Sequence, residues 1–537
     1  MKPSVVILLC CVILLAAYLR CTGLSWGLES GFGRTLNYHP DEFISLRGVL
    51  QIDFKQAKLK VPGAYFEGTF NYYLWALPLA VRDLLSSSKH DFDQLNNPAD
   101  FRFALLSGRI MSVFFDLAAL LFVYLAIIEI TQSEVAALAG AFHYAILPMQ
   151  VIYAHFMRTH LLSNFLCSIV LWLSFRLRAR QSSWLFFVVG LLSGLALATR
   201  YPVAIIVFIP CLVLLFDSCG SKAGWKLGLV EFVTKFLRGP GWLIALGFAT
   251  GAFVGDPMLF LDSRAVIDAI VHQTLQYVPV TATRPSDFIP LWKYLSVLIP
   301  YAAYPLLWIT AYGAVIYLCF RRSLYQVTMP LLLFVLLYSY PMAKGYLVTI
   351  ARQVMLILPV FCMLIGIALA DLRRILGKRR MACNGLLALL FLLSIPSLTF
   401  DFAYVFALDR EDVRTSLRHD LAKELGDAPG IIAVGKAAGY FYATMPGVVP
   451  LSNEKVTVQL QEPAKPATYF ALGSERPFRP DRIEWVARSI ERTSHFRLKK
   501  VYDRAPTVFG KELDLSSFPP DMTYPFVTIL LFRSSRL

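Results

Sequence analysis

Up to about residue 399, polar residues mainly punctuate apolar runs. The runs fall at 4–19, 105–130, 135–153, 160–178, 183–200, 202–217, 241–258, 294–319, 325–341, 347–371 and 382–399. A bilayer core demands about 20 apolar residues per helix, so the pattern predicts a polytopic α-helical membrane protein with about eleven transmembrane helices. Residues 68–85 break the pattern. They are apolar along one side but short, and they contain Pro78, Arg82 and Asp83; they read as a helix lying at the interface. Counting this segment as a span would invert everything after it. Beyond residue 399 the charge becomes mixed. Gly430–Val434, Thr468–Leu472, Phe496–Tyr502 and Phe526–Phe532 read as strands, and Asp412–Leu425 as a helix. The expected organisation is a membrane domain at 1–399, whose first outer loop and juxtamembrane helices cover 20–104, followed by a soluble α/β domain at 400–537.

Composition agrees with the pattern. The chain of 537 residues is 57% hydrophobic and 16% charged, with a mean hydropathy of +0.58, which excludes an ordinary soluble enzyme. The net charge of +15 would suit nucleic acid, but the basic residues cluster between spans. Arg176, Arg178 and Arg180; Lys222, Lys226, Lys235 and Arg238; Arg321 and Arg322; and Arg373, Arg374, Lys378, Arg379 and Arg380 all fall in loops on one side. By the positive-inside rule that side is cytoplasmic, so residue 41 and the C-terminal part face outward. Residues 4–19 also admit a signal-peptide reading, although the flank LAAYLRC is a poor cleavage site. In either case the chain after them emerges outside. None of the nine cysteines lies after Cys383, so no disulfide is expected within the C-terminal part.

Under this sidedness the chemically unusual residues gather at one face. They are Tyr38-His39-Pro40-Asp41-Glu42, His155 to His160 with Arg158 between them, Arg200-Tyr201, Gly255-Asp256-Pro257, Lys344 to Tyr346, and Arg352. Taken singly, a charge at a helix end snorkels to headgroups, and Arg109 serves a salt bridge as well as a ligand. Asp116 and His143 lie deeper, where ionisable groups default to function; for His143 a hydrogen bond between helices is the expectation. Adjacent acids repel unless something binds beside them. A carboxylate near cations at the outer boundary can take a proton from an acceptor hydroxyl while the cations hold an anionic leaving group.

These residues resemble the GT-C glycosyltransferases that use polyprenyl-phosphate sugars, including protein O-mannosyltransferases and lipid A aminoarabinose transferases. The likeness is carried by Asp41-Glu42 after the first span, Ser107-Gly108-Arg109, Leu147-Pro148 with Ala154-His155-Phe156, Gly194 to Tyr201 (GLALATRY), Gly255-Asp256-Pro257, Arg352-Gln353 with Leu358-Pro359, Asp412 to Arg414, and Asp521 to Pro525. It implies a GT-C fold with juxtamembrane helices and an extracytoplasmic C-terminal domain. It implies Asp41 as the base that activates the acceptor, Glu42 as its support, and Arg352, Arg200 and Lys344 as binders of the donor phosphate. His39, His155, Arg158, His160, Arg109, Tyr201 and Asp256 become substrate-binding or supporting residues. His160 departs from the family, whose members usually carry Asp at that position.

The resemblance implies an undecaprenyl- or dolichyl-phosphate sugar donor; a lipid, glycan or protein acceptor; membrane lipids as partners; and no nucleic acid. No cofactor is required, although adjacent acids can hold a divalent cation. A multi-pass protein of the bacterial inner or plasma membrane is expected. The rival readings are a transporter or lipid flippase, disfavoured by the absence of an internal repeat, and a degenerate member that binds lipid-linked sugar without consuming it.

Overall fold

A computed structural model describes residues 2–28, 39, 41–54, 56, 58–61, 65–85, 98–220, 224–277, 291–345, 350–377, 379–425, 430–434, 456–459, 468–473 and 477–535. The expected outer-face residues Tyr38, Pro40 and Tyr346 and the basic residues Lys222 and Lys378 lie outside the described residues, as do the side chains of Lys235 and Lys344.

Helix α1 (Pro3–Cys21) is the first span. Two helices then pack against each other without crossing: α2 (Glu42–Leu50) and α3 (Phe70–Leu85). At 16 residues, α3 carries Pro78, Arg82 and Asp83 and is not among the shorter apolar helices of the chain. It buries Tyr72, Trp75 and Leu79 while Leu77, Val81, Leu84 and Leu85 stay exposed, as an interface helix should. The second span, α4 (Pro98–Thr131), extends beyond the bilayer. Helices α5 (Glu134–Ala145) and α6 (Pro148–Ala154) form one span bent by 56°; Pro148 opens α6, where its missing N–H costs nothing. There follow α7 (His160–Ala179), α8 (Ser183–Thr199), a 3-10 stretch at Tyr201–Val207, α9 (Phe208–Gly220), α10 (Gly224–Leu237), α11 (Trp242–Gly255), α12 (Met258–Leu261) and α13 (Ser263–Tyr277). The membrane part closes with α14 (Leu291–Ala302), α15 (Leu307–Cys319), α16 (Tyr325–Gly345), a second 3-10 stretch at Ala351–Ile357, α17 (Leu358–Leu376) and α18 (Arg380–Leu408).

Among the described residues, seven helices are long and apolar enough to cross a membrane, or eight if the bent pair is one span. Helices α8, α11 and α15 are shorter and apolar. Each run expected to span therefore carries an apolar helix, and the chain is an integral membrane protein. Two expectations need correction. The run 294–319 is two helices, α14 and α15, because the chain between them contains Pro305, which cannot donate to a helix ladder. His143 does not join two helices; its Nδ1 lies 2.8 Å from the Ala139 carbonyl of its own helix.

The core centres on α17, buried along nearly its whole length between α4, α5 and α15. Helices α8 and α11 approach so closely that a Cβ on Gly190 or Gly194 would stand 2.2 or 2.1 Å from a carbonyl oxygen of α11. Such small-residue contacts replace the missing hydrophobic drive between helices in lipid. They also bring Tyr201, after α8, within hydrogen-bond distance of Asp256, after α11.

After α18 the chain forms α19 (Val413–Leu425), β1 (Gly430–Val434), β2 (Val456–Gln459), β3 (Tyr469–Gly473), α20 (Pro480–Thr493), β4 (Phe496–Tyr502), the hairpin β5 (Thr507–Val508) and β6 (Lys511–Glu512), α21 (Pro520–Thr523) and β7 (Ile529–Ser534). The sheet order is β2-β1-β3-β7-β4. Strand β1 runs parallel to β2 and β3, and β7 antiparallel to β3 and β4, with Phe470 opposite Phe532. Leu417 and Leu421 of α19 pack on one sheet face beside Ile529 and Leu531. Ile483, Val486 and Ile490 of α20 pack on the other beside Leu530 and Phe532.

This C-terminal unit docks on the membrane part. Trp26 Nε1 donates to Asp412 at 2.9 Å, and Asp412 also receives two guanidinium bonds from Arg414. Phe518 stacks on Phe400 and sits edge-on to Tyr304.

Candidate active site

The main cavity opens where the two 3-10 stretches begin. Irregular backbone at membrane depth persists only where it is buried or lines a cavity, and here it lines one. Pro202 and Pro359 favour the breaks, because each removes an N–H from the preceding helical ladder. The void is about 440 Å³ and is bordered by Asp41, Glu67, Arg158, His160, Arg200, Tyr201, Arg352 and Gln353, with apolar walls from Ile44, Ile205, Ile270, Tyr338 and Met342.

Asp41, just before α2, is 9% exposed. Its Oδ2 accepts from Arg352 Nη1 at 2.7 Å, and its backbone carbonyl accepts from Arg158 at 3.0 Å. Burial alone would raise its carboxyl, but the Arg352 and Arg158 guanidiniums outweigh that and hold it below the ordinary carboxylate range. Its Oδ1 accepts no hydrogen bond from the described residues. Arg352 Nη1 also donates to Tyr153 Oη at 3.2 Å; Nη2 and Nε have no protein partner among the described residues.

Glu42 has different surroundings. It is fully buried and accepts from Arg109 Nε at 2.8 Å, Arg109 Nη2 at 2.7 Å and the Met157 backbone N–H at 2.8 Å. Arg109 spends Nη1 on the Leu24 and Trp26 carbonyls. Burial would raise the Glu42 carboxyl, but Arg109 outweighs it and the net shift is downward. Neither Glu42 nor Arg109 borders the cavity. The adjacent acids therefore escape mutual repulsion by taking separate cations. Among the described residues no group of three or more His, Cys, Asp or Glu side chains is gathered in one place.

The other expected residues divide in the same way. Arg158, His160, Arg200 and Tyr201 line the cavity. Arg158 Nη2 is bound to Glu67 at 2.5 Å, whereas the Arg200 side chain makes no hydrogen bond or ion pair with the described residues. Tyr201 donates to Asp256 at 2.8 Å, and Asp256 also accepts from Thr69 at 2.8 Å. Burial raises the Asp256 carboxyl, opposed by those two hydroxyls. Asp256 thus props the cavity wall from behind. His155 bridges the Val151 and Thr22 carbonyls, both at 2.8 Å, away from the cavity. His39 Nδ1 accepts from the Asp41 N–H at 3.2 Å, and its ring packs tilted against Phe156 and edge-on to Tyr524. Burial drives its imidazole down to about 3, so it is an uncharged support for the Asp41 turn. The Lys344 side chain lies outside the described residues.

Three residues at or beside the cavity were given no site role by the sequence reading. Glu67 sits in a turn ahead of α3, where no periodicity marks it. The following Gly68 is the available signal: its φ is +97°, and a Cβ there would stand 2.5 Å from the Ala198 carbonyl, so only glycine fits. Gln353 hides beside the more conspicuous Arg352. Asp521 belongs to the C-terminal unit, and its carboxylate accepts from the Ala351 and Arg352 backbone N–H groups at 3.1 and 2.7 Å.

No family model matches the chain, and no curated protein matches it. Solved structures do. The Archaeoglobus fulgidus oligosaccharyltransferase in its apo form aligns over 84% of this chain at 13% identity with a TM-score of 0.51. The same organism's oligosaccharyltransferase AglB, in complex with an inhibitory peptide and a dolichol-phosphate, aligns over 84% at 12% identity, also at 0.51. This chain spans 65% of the length of either. ArnT from Cupriavidus metallidurans bound to undecaprenyl phosphate aligns over 99% of this chain and 98% of that one, at 11% identity and a TM-score of 0.47. Identity this low establishes fold alone, and the fold agrees with the expectation from sequence: this chain has the GT-C membrane fold.

Proposed function

We propose that the chain transfers a sugar from a polyprenyl-phosphate carrier to an acceptor hydroxyl or phosphate, with inversion, at the face that carries Asp41. The positive-inside distribution of basic loops makes that face the outer one, and a bacterial inner or plasma membrane suits the reading. The observation that carries it is the cavity itself, where one acid with an oxygen unpartnered among the described residues stands among three guanidiniums, one of them without a partner among the described residues. The oligosaccharyltransferase with the same fold is seen with a dolichol-phosphate, a ligand of the kind this cavity would hold.

Arg200 and the unused donors of Arg352 take the donor phosphate. The apolar wall receives the first prenyl units. The acceptor oxygen attacks the anomeric carbon from the side opposite the phosphate, through a cation-like sugar. The bond from that carbon to the phosphate oxygen breaks, and its electron pair leaves with the phosphate. Asp41 receives the acceptor's proton. In the resting site Arg352 weakens Asp41 as a base. As the phosphate gains charge on leaving, it draws on Arg352 and releases Asp41, so base strength rises as the bond breaks.

The test is Asp41→Asn in the purified full chain with a prenyl-phosphate sugar donor and an acceptor mixture. Turnover should fall by about 10²–10⁴. Unchanged turnover would remove the base assignment, and vesicle flux without donor consumption would favour the transporter.

A further inference from the structure

Besides Arg200, two polar side chains at the cavity have no side-chain hydrogen-bond partner among the described residues. His160 opens α7 and is 2% exposed, with neither ring nitrogen hydrogen-bonded. Gln353 is 3% exposed, with neither amide atom bonded. Buried polar groups are almost always satisfied, and an unmade bond costs about 1–3 kcal/mol. Both residues border the void, so a ligand within it can reach them. Both are also held in place. The Gln353 carbonyl accepts from the Tyr294 and Tyr338 hydroxyls at 3.1 and 3.0 Å. The His160 ring packs edge-on to Tyr153, centroids 5.1 Å apart, and Tyr153 is the residue whose hydroxyl meets Arg352.

The cavity's charges narrow what the ligand can be. Among the described residues its carboxylates are Asp41 and Glu67 and its guanidiniums are Arg158, Arg200 and Arg352, so three positive charges less two negative leave one positive. A phosphodiester donor supplies the one negative charge that balances it. A protonated amine on the sugar would add an uncompensated charge beside cations. Hydroxyls add none, and they both donate and accept, as an imidazole and a carboxamide do.

We infer that His160 and Gln353 form the subsite for the donor's sugar ring, and that the sugar it takes is neutral and hydroxyl-bearing rather than amino-substituted. This rests on the donor reading above and adds the class of sugar to it.

The test measures binding to the detergent-solubilised full chain of a short-chain prenyl phosphate, of the same lipid carrying a neutral hexose, and of the same lipid carrying an amino-hexose, at a pH where the amine is protonated. The neutral hexose should tighten binding by about tenfold or more over the sugarless lipid, and the amino-hexose should not. Gln353→Leu and, separately, His160→Phe should abolish that gain while leaving sugarless-lipid affinity within about twofold; a melting curve for each variant confirms folding. Equal binding of sugarless and hexose lipids, unchanged gain in folded Gln353→Leu, or preference for the amino-hexose would overturn the inference. If none of the three lipids binds, the donor reading itself fails.

Discussion

Glu42→Gln separates the two neighbouring acids most sharply. The substitution keeps shape and removes one charge from a pair buried to within 1% of total exclusion from solvent. The carboxamide can still accept one bond. Its NH₂ then faces an N–H of Arg109 or Met157, donor against donor. Arg109 meanwhile loses its only counter-charge among the described residues. Breaking a buried pair from one side costs about 3–5 kcal/mol, a large part of the roughly 5–15 kcal/mol that typically separates folded from unfolded. If the chain melts as one unit, an unfolding entropy of about 2.1 cal/mol/K per residue gives about 1.1 kcal/mol/K, and the melting temperature drops by about 3–4 °C. Melting in pieces enlarges the drop. The assay is the midpoint of loss of the monodisperse peak on heating in detergent, for wild type, Glu42→Gln, Arg109→Met and the double variant. The double should cost about 1–3 kcal/mol less than the sum of the singles, because neither charge is then stranded. The pH dependence has a definite sign. The folded Glu42 pKa is depressed, so its stabilisation is present above the unfolded value near 4.3 and is lost as pH falls through the folded one. The gap between wild type and Glu42→Gln should stay constant from about pH 5 to 8 and close only in stronger acid. A Glu42→Gln midpoint within a degree of wild type, or a double variant as costly as the summed singles, would refute the reasoning.

Other expectations follow from the same geometry. Arg352→Gln should move the acid limb of the kcat/KM profile upward, because the guanidinium that depresses Asp41 is gone; an unmoved limb would mean that Asp41 does not set it. Arg200→Gln should raise the donor KM by about tenfold or more, the value of one charge-assisted bond to phosphate, with a smaller effect on melting than Glu42→Gln. Gly68→Ala should lower activity by more than tenfold through the displaced Glu67 turn, since it adds a clash to a positive-φ strain of about 1–2 kcal/mol; wild-type kinetics would show that the turn can give. Asp521→Asn should lower kcat without loosening the C-terminal unit, which Trp26, Asp412 and Arg414 still anchor; limited proteolysis separates the two effects.

The bilayer explains why so much of the membrane part was legible. A fixed hydrocarbon thickness writes itself into sequence as run length, and the basic loops record side. Those two signals brought residues 41, 158, 200 and 352 to one face before any contact was known. The division of labour between Asp41 and Glu42 was not legible, because adjacent residues at the start of a helix point about 100° apart and only tertiary packing decides which meets the cavity. Arg109 carries no mark in sequence of facing Glu42 rather than a ligand. In the C-terminal unit, the strands ending at Val434 and Tyr502 stood out as β-branched and aromatic runs. Strand β2, with four residues described, and the strongly charged α20 gave weaker signals. The break between α14 and α15 was signalled by Pro300 and Pro305, but a proline inside an apolar run does not say whether the helix kinks or ends: Pro300 sits within α14, and Pro305 lies in the break.

The placement of Arg352 has a consequence for how the two parts of the chain work together. The first N–H groups of a helical stretch have no partner within it, and at Ala351 and Arg352 the missing acceptor is Asp521 of the C-terminal unit. Burial raises the Asp521 carboxyl, and Arg352 with the two backbone N–H groups opposes that rise. Three residues further on, the Tyr524 ring meets the edge of His39, 4.9 Å between centroids, and His39 accepts the N–H of Asp41. One short segment, 521–524, therefore touches the backbone of Arg352 and, through one imidazole, the backbone of Asp41. The membrane helices bring Asp41 and Arg352 to the same boundary, but their separation at 2.7 Å is fixed partly from outside the membrane part. A chain that needs its base and its phosphate cation in register has reason to keep this unit docked, whatever else the unit binds.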